Sequence, residues 1–514
     1  MLAKVFSAAV LGVDAFEVEI EVNGGRGDPA IVIVGLPDAA VKESKDRVTT
    51  AISNSGYHWA RGRMTINLAP ASVKKEGPSF DLPIALGLIA VAQEVAIKDA
   101  ADFCFVGELA LTGAVRPVAG VLPIALEARK QGRRKIVVPT ANAREAAMVE
   151  GLEVFGVHNL REAFELFTGA QPLLPFREDL GRLFAEHHEY EFDFADVRGH
   201  EAAKRAIEIA VAGNHNLLMI GPPGSGKSML AKRIPTVMPP MNLEEAIETT
   251  KIHSICGLLL DSKHSLVATR PFRAPHHTVS DIGLLGGGTN PTPGEVSVAH
   301  NGILFLDELP EFKRSTLEVL RQPLEDSKVT VTRAAGSMTF PANLMLIAAM
   351  NPCACGHFGD PRRECRCSPR QVEQYRNRIS GPLLDRIDIH IEVPVVEFQQ
   401  LASRQAGESS AALRERIVAA RQLQQRRFAT DGRTTVRSNA RMHPKQQKAF
   451  CELDPESEGL LRMAMDELHL SARAYDRILK VARTIADLES SAHIQAHHVG
   501  EAVQYRTLDR NLWA

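Results

Sequence analysis

GPPGSGKS, residues 221–228, fits the pattern GxxxxGK[ST], and its flanks decide how it reads. The apolar run NLLMIG leads in and MLAKRI leads out, so the stretch is a turn between a buried strand and a helix. Glycines let backbone N–H groups converge on one concavity, and the helix N-terminus adds positive potential, which suits phosphate. Gly221, Pro222, Pro223, Gly224, Ser225 and Gly226 form the cradle. Lys227 is placed to reach the β- and γ-phosphates of ATP, and Ser228 to ligate Mg²⁺. About 80 residues on, GILFLDEL (302–309) is an apolar strand ending in two acids. Asp307 suits the Mg²⁺ shell and Glu308 the activation of an attacking water. LMLIAAMNP (344–352) is a third such strand, ending at Asn351. Ligands of a doubly wound sheet sit beyond the carboxyl ends of its strands, so Asn351 is placed to bond the γ-phosphate or the water.

The rest of the chain sets the frame. At 514 residues it is too long for one ordinary core. A hydrophobic share of 45% and a charged share of 24% are those of a globular protein. With a formal net charge of −2, nucleic-acid contact must come from local basic patches. No apolar run has the length of a membrane helix, and MLAKVFSAAVLGVDAF, interrupted by Asp14, reads as a first strand rather than a signal peptide. Seven cysteines without an export signal predict a reducing cytoplasm. Strand-like and helix-like pieces alternate over 1–168, 169–190 is a polar linker, 191–395 holds the phosphate site, and 396–514 reads as helices.

The P-loop, the DE-ending strand, the Asn-ending strand, PLLDRIDIHIEVP (382–394) and a helical C-terminus resemble an AAA+ ATPase of the magnesium-chelatase and minichromosome-maintenance branch. That resemblance implies an α/β P-loop core with a helical C-terminal lid. It makes Arg386 an arginine finger and Arg473, in SARAYDRILKVARTIADL, a sensor 2 residue. A finger acts on a neighbour's nucleotide, so the resemblance implies a homohexamer. EGPSFDLP (76–83) and GELALTGAVRPVAGVLPIALEARKQGRRKIVVP (107–139) resemble the Lon-type peptidase domain, an α+β fold of the ribosomal-S5 kind. Where Lon carries its lysine this chain has Leu122, and Lys74 and Lys75 are not where the fold puts the base. Ser79 therefore reads as a relic that caps the helix starting at 81.

With RPFRAPHH and NPCACG, the order of parts resembles the ComM/YifB family, labelled magnesium-chelatase-like. The family implies a hexameric ATP-driven DNA motor, or helicase, for branch migration of recombination intermediates in natural transformation, with DNA and further copies of itself as partners. A protein-remodelling chaperone or a chelatase-type motor subunit is the alternative; a peptidase is disfavoured by Leu122.

Three further stretches carry chemistry. SKVTVTRAAGSMTFPA (327–342) reads as a β-hairpin with Lys328 and Arg333 as DNA-phosphate contacts. The basic runs 361–378 and 414–428 are either solvated faces or nucleic-acid contacts. His276 and His277, adjacent on an extended segment, point opposite ways and do not ligate a metal together. Cys353, Cys355, Cys365 and Cys367, in NPCACGHFGDPRRECRCSP (351–369), match the tetrahedral preference of structural Zn²⁺, with His357 as a substitute ligand. Redox switching, or no role, remains open for them.

Overall fold

The computed structural model describes residues 1–58, 62–95, 99–179, 181, 184, 190–260, 265–288, 291–333, 336–360, 362–396, 407–429 and 436–508. The chain divides into two units, Met1–His187 with Leu243–Ala268, and His188–Asn242 with Thr269–Ala514. Of the expected linker 169–190, residues 180, 182, 183 and 185–189 lie outside the described ones.

In the first unit, the opening residues form the strand Leu2–Leu11, as the interruption at Asp14 predicts. It pairs antiparallel with Asp14–Gly25, which pairs antiparallel with Arg63–Ala69, which pairs parallel with Ala30–Val34. Asp38 caps the helix Ala39–Asn54, accepting the Val41 N–H at 2.7 Å. The helix Asp81–Ala92 is apolar on nearly every side, and it is buried on nearly every side. Gly87 makes its approach to the sheet feasible: a Cβ there would stand 2.7 Å from Val22 Cγ2. A parallel three-stranded sheet of Phe103–Phe105, Lys135–Pro139 and Glu153–Val157 also packs on this core, as does the short antiparallel pair Glu108–Leu109 and Val115–Arg116.

One segment departs from the linear division. Leu243–Ala268 lies within the expected 191–395 core yet packs with the first unit. Its helix Leu243–Ile255 buries Ala246 and Ile252, the Ser254 carbonyl accepts the Gly120 N–H at 3.1 Å, and Lys251 pairs with Asp14 at 2.7 Å. A pairing across more than 100 residues leaves no mark in local periodicity.

The second unit is built on a five-stranded parallel sheet in the order Phe272–Arg273, Ile303–Leu306, Met345–Met350, Leu217–Ile220, Ile389–Glu392. The three middle strands are buried along their whole length, which is why they read as unbroken apolar runs. The P-loop strand lies between the Asn-ending strand and the last one, at a topological switch point that opens a crevice beyond its carboxyl end. Lys328–Arg333 and Gly336–Pro341 form the expected hairpin. Val329, Val331 and Phe340 are buried, while Lys328, Thr330 and Thr332 are exposed. The helices Ser410–Ala429, Pro455–Glu467, Ala472–Leu488 and Ala496–Gln504 form the C-terminal part.

Candidate nucleotide site

The glycine-rich turn and the ends of two strands enclose a cleft of about 360 Å³, lined by Lys227, Ser228, Asp307, Glu308 and Asn351 among others. Lys227, only 8% exposed, donates to the carbonyls of Gly221 at 2.8 Å and Pro222 at 3.0 Å and approaches Asn351 Oδ1 at 3.4 Å. Burial pulls its ammonium below the ordinary lysine value, and the Asp307 carboxylate offsets part of that. A desolvated cation held by carbonyl dipoles is poised for an anion, so these residues fit phosphate. Ser228 Oγ donates to Asp307 Oδ2 at 2.5 Å, which puts two oxygen ligands suited to Mg²⁺ side by side.

Glu308 sits at φ 53°, in the left-handed region, with its N–H on Asp307 Oδ1 at 2.9 Å. Strain at a carboxylate facing a cleft is the kind found at functional sites. His277 Nδ1 lies 3.5 Å from the Glu308 carboxylate. The expectation that His276 and His277 point opposite ways fails, because the chain turns at His277 and the two rings sit 4.1 Å apart. His276 instead meets Thr278 Oγ1 at 2.9 Å. The sequence offered no signal for His277 beside Glu308.

Arg386 and Arg473 come together elsewhere. They line a separate cleft of about 220 Å³ with Glu325, Asp385, Arg477 and Lys480, and neither lines the P-loop cleft. Arg386 is 10% exposed, ion-pairs with Glu325 at 2.5 Å, and has no partner for Nε among the described residues. Arg473 is 63% exposed and meets Asp385 at 3.3 Å. One turn further, Arg477 pairs with the buried Asp388. Burial opposes ionisation there, yet Arg477 and His215 hold the Asp388 carboxyl well below the usual range. Asp388 also accepts the Asn216 N–H at 3.1 Å, so it ties the arginine-bearing helix to the start of the P-loop strand. The signal was an acid among the alternating isoleucines of IDIHIEV.

Comparison with known proteins gives the family. The model for magnesium chelatase, subunit ChlI, matches residues 193–401, a second ChlI model matches 18–142, and the ChlI C-terminal model matches 407–506. Protein YifB of Salmonella typhimurium is 43% identical over 99% of this chain and 98% of its own length. Competence protein ComM of Haemophilus influenzae is 43% identical over the same shares. The chain belongs to the magnesium-chelatase-like ComM/YifB family. Membership makes it an AAA+ ATPase, an enzyme that uses ATP and Mg²⁺. Lon protease 2 of Bacillus subtilis is 23% identical over 29% of each chain, a partial likeness that accords with the Lon-like part of the fold. Among the described residues no helix is long and apolar enough to cross a membrane.

In this ComM/YifB chain the Lon-like unit is closed where a peptidase base would be. Leu122 is fully buried, and its N–H donates to Glu145 at 2.8 Å. Ser254, from the inserted segment, donates to the same carboxylate. Burial pushes the Glu145 carboxyl up, against the hydrogen bonds from Ser254, Leu122 and Asn142. Lys75 is fully buried with its ammonium on the Pro70 carbonyl, and Lys74 pairs with Glu76 at 3.0 Å. The expected cap by Ser79 is not made. Ser79 lies in a 3₁₀ turn, Pro78–Phe80, that runs straight into the helix, and the Leu82 N–H goes to the Gly107 carbonyl instead.

The four cysteines converge on the loop between the Asn-ending strand and the helix Pro369–Arg376, with all four sulfurs within 4.8 Å of one another. His357 is not among them; its Nδ1 meets Asp360 at 3.1 Å. Backbone N–H groups of His357 and Arg366 pull the Cys355 thiol down to about 6. The N–H of Cys367 acts in the same sense on Cys365, but burial and the neighbouring sulfurs push that thiol up to about 12.

Several arginines of the basic runs are already engaged within the chain. Arg376 donates to the Pro352 carbonyl, Arg378 pairs with Glu311, Arg416 with Glu208 and Glu408, and Arg427 with Asp487. Arg363, Arg366 and Arg370 are exposed. Lys328 is exposed on the hairpin; the side chain of Arg333 lies outside the described residues.

Proposed function

We propose that the chain is one subunit of a cytoplasmic homohexameric motor that spends ATP to move along DNA and drive branch migration of recombination intermediates, as in natural transformation. The separation of the two clefts carries this reading. Lys227, Ser228, Asp307, Glu308 and Asn351 share one cleft, and the arginines expected to act on a γ-phosphate share another. The ATP site is then complete only where a second copy brings Arg386, with Arg473 beside it. The relative named a competence protein supports the biological setting.

In this mechanism the P-loop N–H groups and Lys227 hold the phosphates, and Ser228 and Asp307 hold Mg²⁺, which neutralises charge on them. Glu308 takes a proton from water as its oxygen bonds the γ-phosphorus and the bond to the bridging oxygen breaks. Asn351 orients that water or the γ-phosphate, and the neighbour's Arg386 offsets charge on the transferring group. Exposed Lys328, Arg333 at the far end of the same strand, and Arg363, Arg366 and Arg370 contact DNA phosphates without reading sequence. The motor's cofactors are ATP and Mg²⁺, with a structural Zn²⁺ on the four-cysteine loop. The Lon-like unit is a scaffold and not a peptidase, because Leu122 stands where Lon carries its lysine.

The match to chelatase-subunit models supports a second reading, a chelatase-type motor subunit that works on a metal-inserting partner. One experiment separates the two. ATP turnover of the full chain is measured with no DNA, single strands, duplex and a four-way junction, alongside branch migration of the junction and a casein-degradation control. The motor reading expects DNA stimulation, junction migration that needs ATP, and intact casein. Turnover indifferent to every DNA, with no migration, would sink it.

A further inference from the structure

The sequence pattern CxC–x9–CxC is ambiguous, but the geometry of its sulfurs is not. Cys353 Sγ lies 3.4 Å from Cys355 Sγ and 3.7 Å from Cys365 Sγ, and the latter two are 3.6 Å apart. A tetrahedron with Zn–S bonds of about 2.3 Å has edges of about 3.8 Å. A disulfide would need about 2.05 Å, and none joins Cys353, Cys355, Cys365 or Cys367. Four sulfurs converging on one point fit a single ion; a multi-iron cluster would spread its thiolates over separate metal atoms.

The surroundings are those of a metal site too. The N–H groups of His357 and Arg366 point at Cys355 Sγ, that of Cys367 at Cys365, and that of Cys355 at Cys367. Such bonds orient thiolate ligands and spread their charge. Four thiolates around Zn²⁺ leave a net charge of −2 on the ZnS₄ group. The exposed guanidinium groups of Arg363 and Arg366, beside and between the cysteines, offset it.

We propose that Cys353, Cys355, Cys365 and Cys367 bind one structural Zn²⁺, and that this ion anchors the loop that buttresses the nucleotide cleft. Cys353 follows Asn351 by two residues. Gly356, next to Cys355, sits at φ 84° against the P-loop itself, so close that a Cβ would stand 2.6 Å from Pro223 Cδ. At the other end, Arg376 holds the Pro352 carbonyl at 3.2 Å and its guanidinium lies over the Phe358 ring at 4.9 Å. Zn²⁺ joins the two halves of this loop, and without it Asn351 and Pro223 lose a common support. The anchoring half rests on the ATPase reading; the metal half does not.

The test uses the full chain purified without a histidine tag or chelator. Elemental analysis should find about one zinc per chain, in a colourless protein, and a mercurial should release that zinc as four thiols react. Lys227→Ala should keep the zinc, and Cys365→Ser/Cys367→Ser should lose it. Should that double variant fail to fold, reversible stripping of the native chain by mercurial and thiol serves instead. Stripped protein should turn ATP over about a hundredfold more slowly, the cost of misplacing a positioning group by an ångström, and added Zn²⁺ should restore it. Absence of zinc with no uptake of added Zn²⁺, iron with visible absorbance, or full zinc in the double variant would overturn the site. Unchanged turnover in stripped, folded protein would overturn the anchoring and leave the ATPase reading untouched.

Discussion

The two clefts of the second unit differ in what their cations lack. Lys227 is surrounded by carbonyls and an amide oxygen, with Asp307 as the nearby acid, and no carboxylate ion-pairs with it among the described residues. Arg386 and Arg473 are each paired with an acid of their own chain. The first cleft is preassembled and short of an anion. In the second, Arg386 and Arg473 already hold carboxylates, and Arg386 would have to leave Glu325 to serve another subunit's nucleotide. The contrast suggests a division of labour, in which binding is set within a subunit and hydrolysis is licensed between subunits.

Arg386→Ala breaks the comparison most severely. It should lower ATP turnover by about 10³-fold or more while leaving ATP binding intact, checked by steady-state kinetics beside nucleotide titration. Lys227→Ala should cost about 10²–10³-fold and weaken ATP binding as well, because its cation sits on the phosphates themselves. If both variants lost binding equally, the two clefts would not differ in role. Glu325→Gln sharpens the contrast in the opposite direction. It frees Arg386 from a partly exposed pair worth about 0–1 kcal/mol, so turnover should rise by up to about fivefold. Lys328→Ala should reduce the salt dependence of DNA affinity by about one phosphate contact, equally for all sequences, as read from binding isotherms across a salt series. Ser79→Ala should change neither turnover nor junction migration.

Which parts of this were legible in the sequence follows from the range of the interactions. The P-loop, the two strands that end at Asp307 and Asn351, and the hairpin are local patterns, and buried parallel strands announce themselves as apolar runs. Cys353 to Cys367 cluster in sequence as well as in space. What stayed hidden is held by distant partners. Leu243–Ala268 belongs with the first unit through Ser254 and Lys251, neither of which looks unusual on a helix. Glu325 lies about 60 residues from the Arg386 it neutralises, and His277 reaches Glu308 only because a turn carries it there. The Ser79 cap failed for a local reason, since the 3₁₀ turn Pro78–Phe80 leads straight into the helix and places Ser79 inside it rather than at its cap.

The central claim is that one subunit's arginine completes its neighbour's ATP site. Mixing Lys227→Ala with Arg386→Ala protein tests it most directly, with native mass spectrometry to establish that mixed rings form. Some interfaces then join an intact P-loop to an intact Arg386, and ATP turnover should recover well above that of either variant alone. Mixed rings that stay as inactive as their parents would contradict the account.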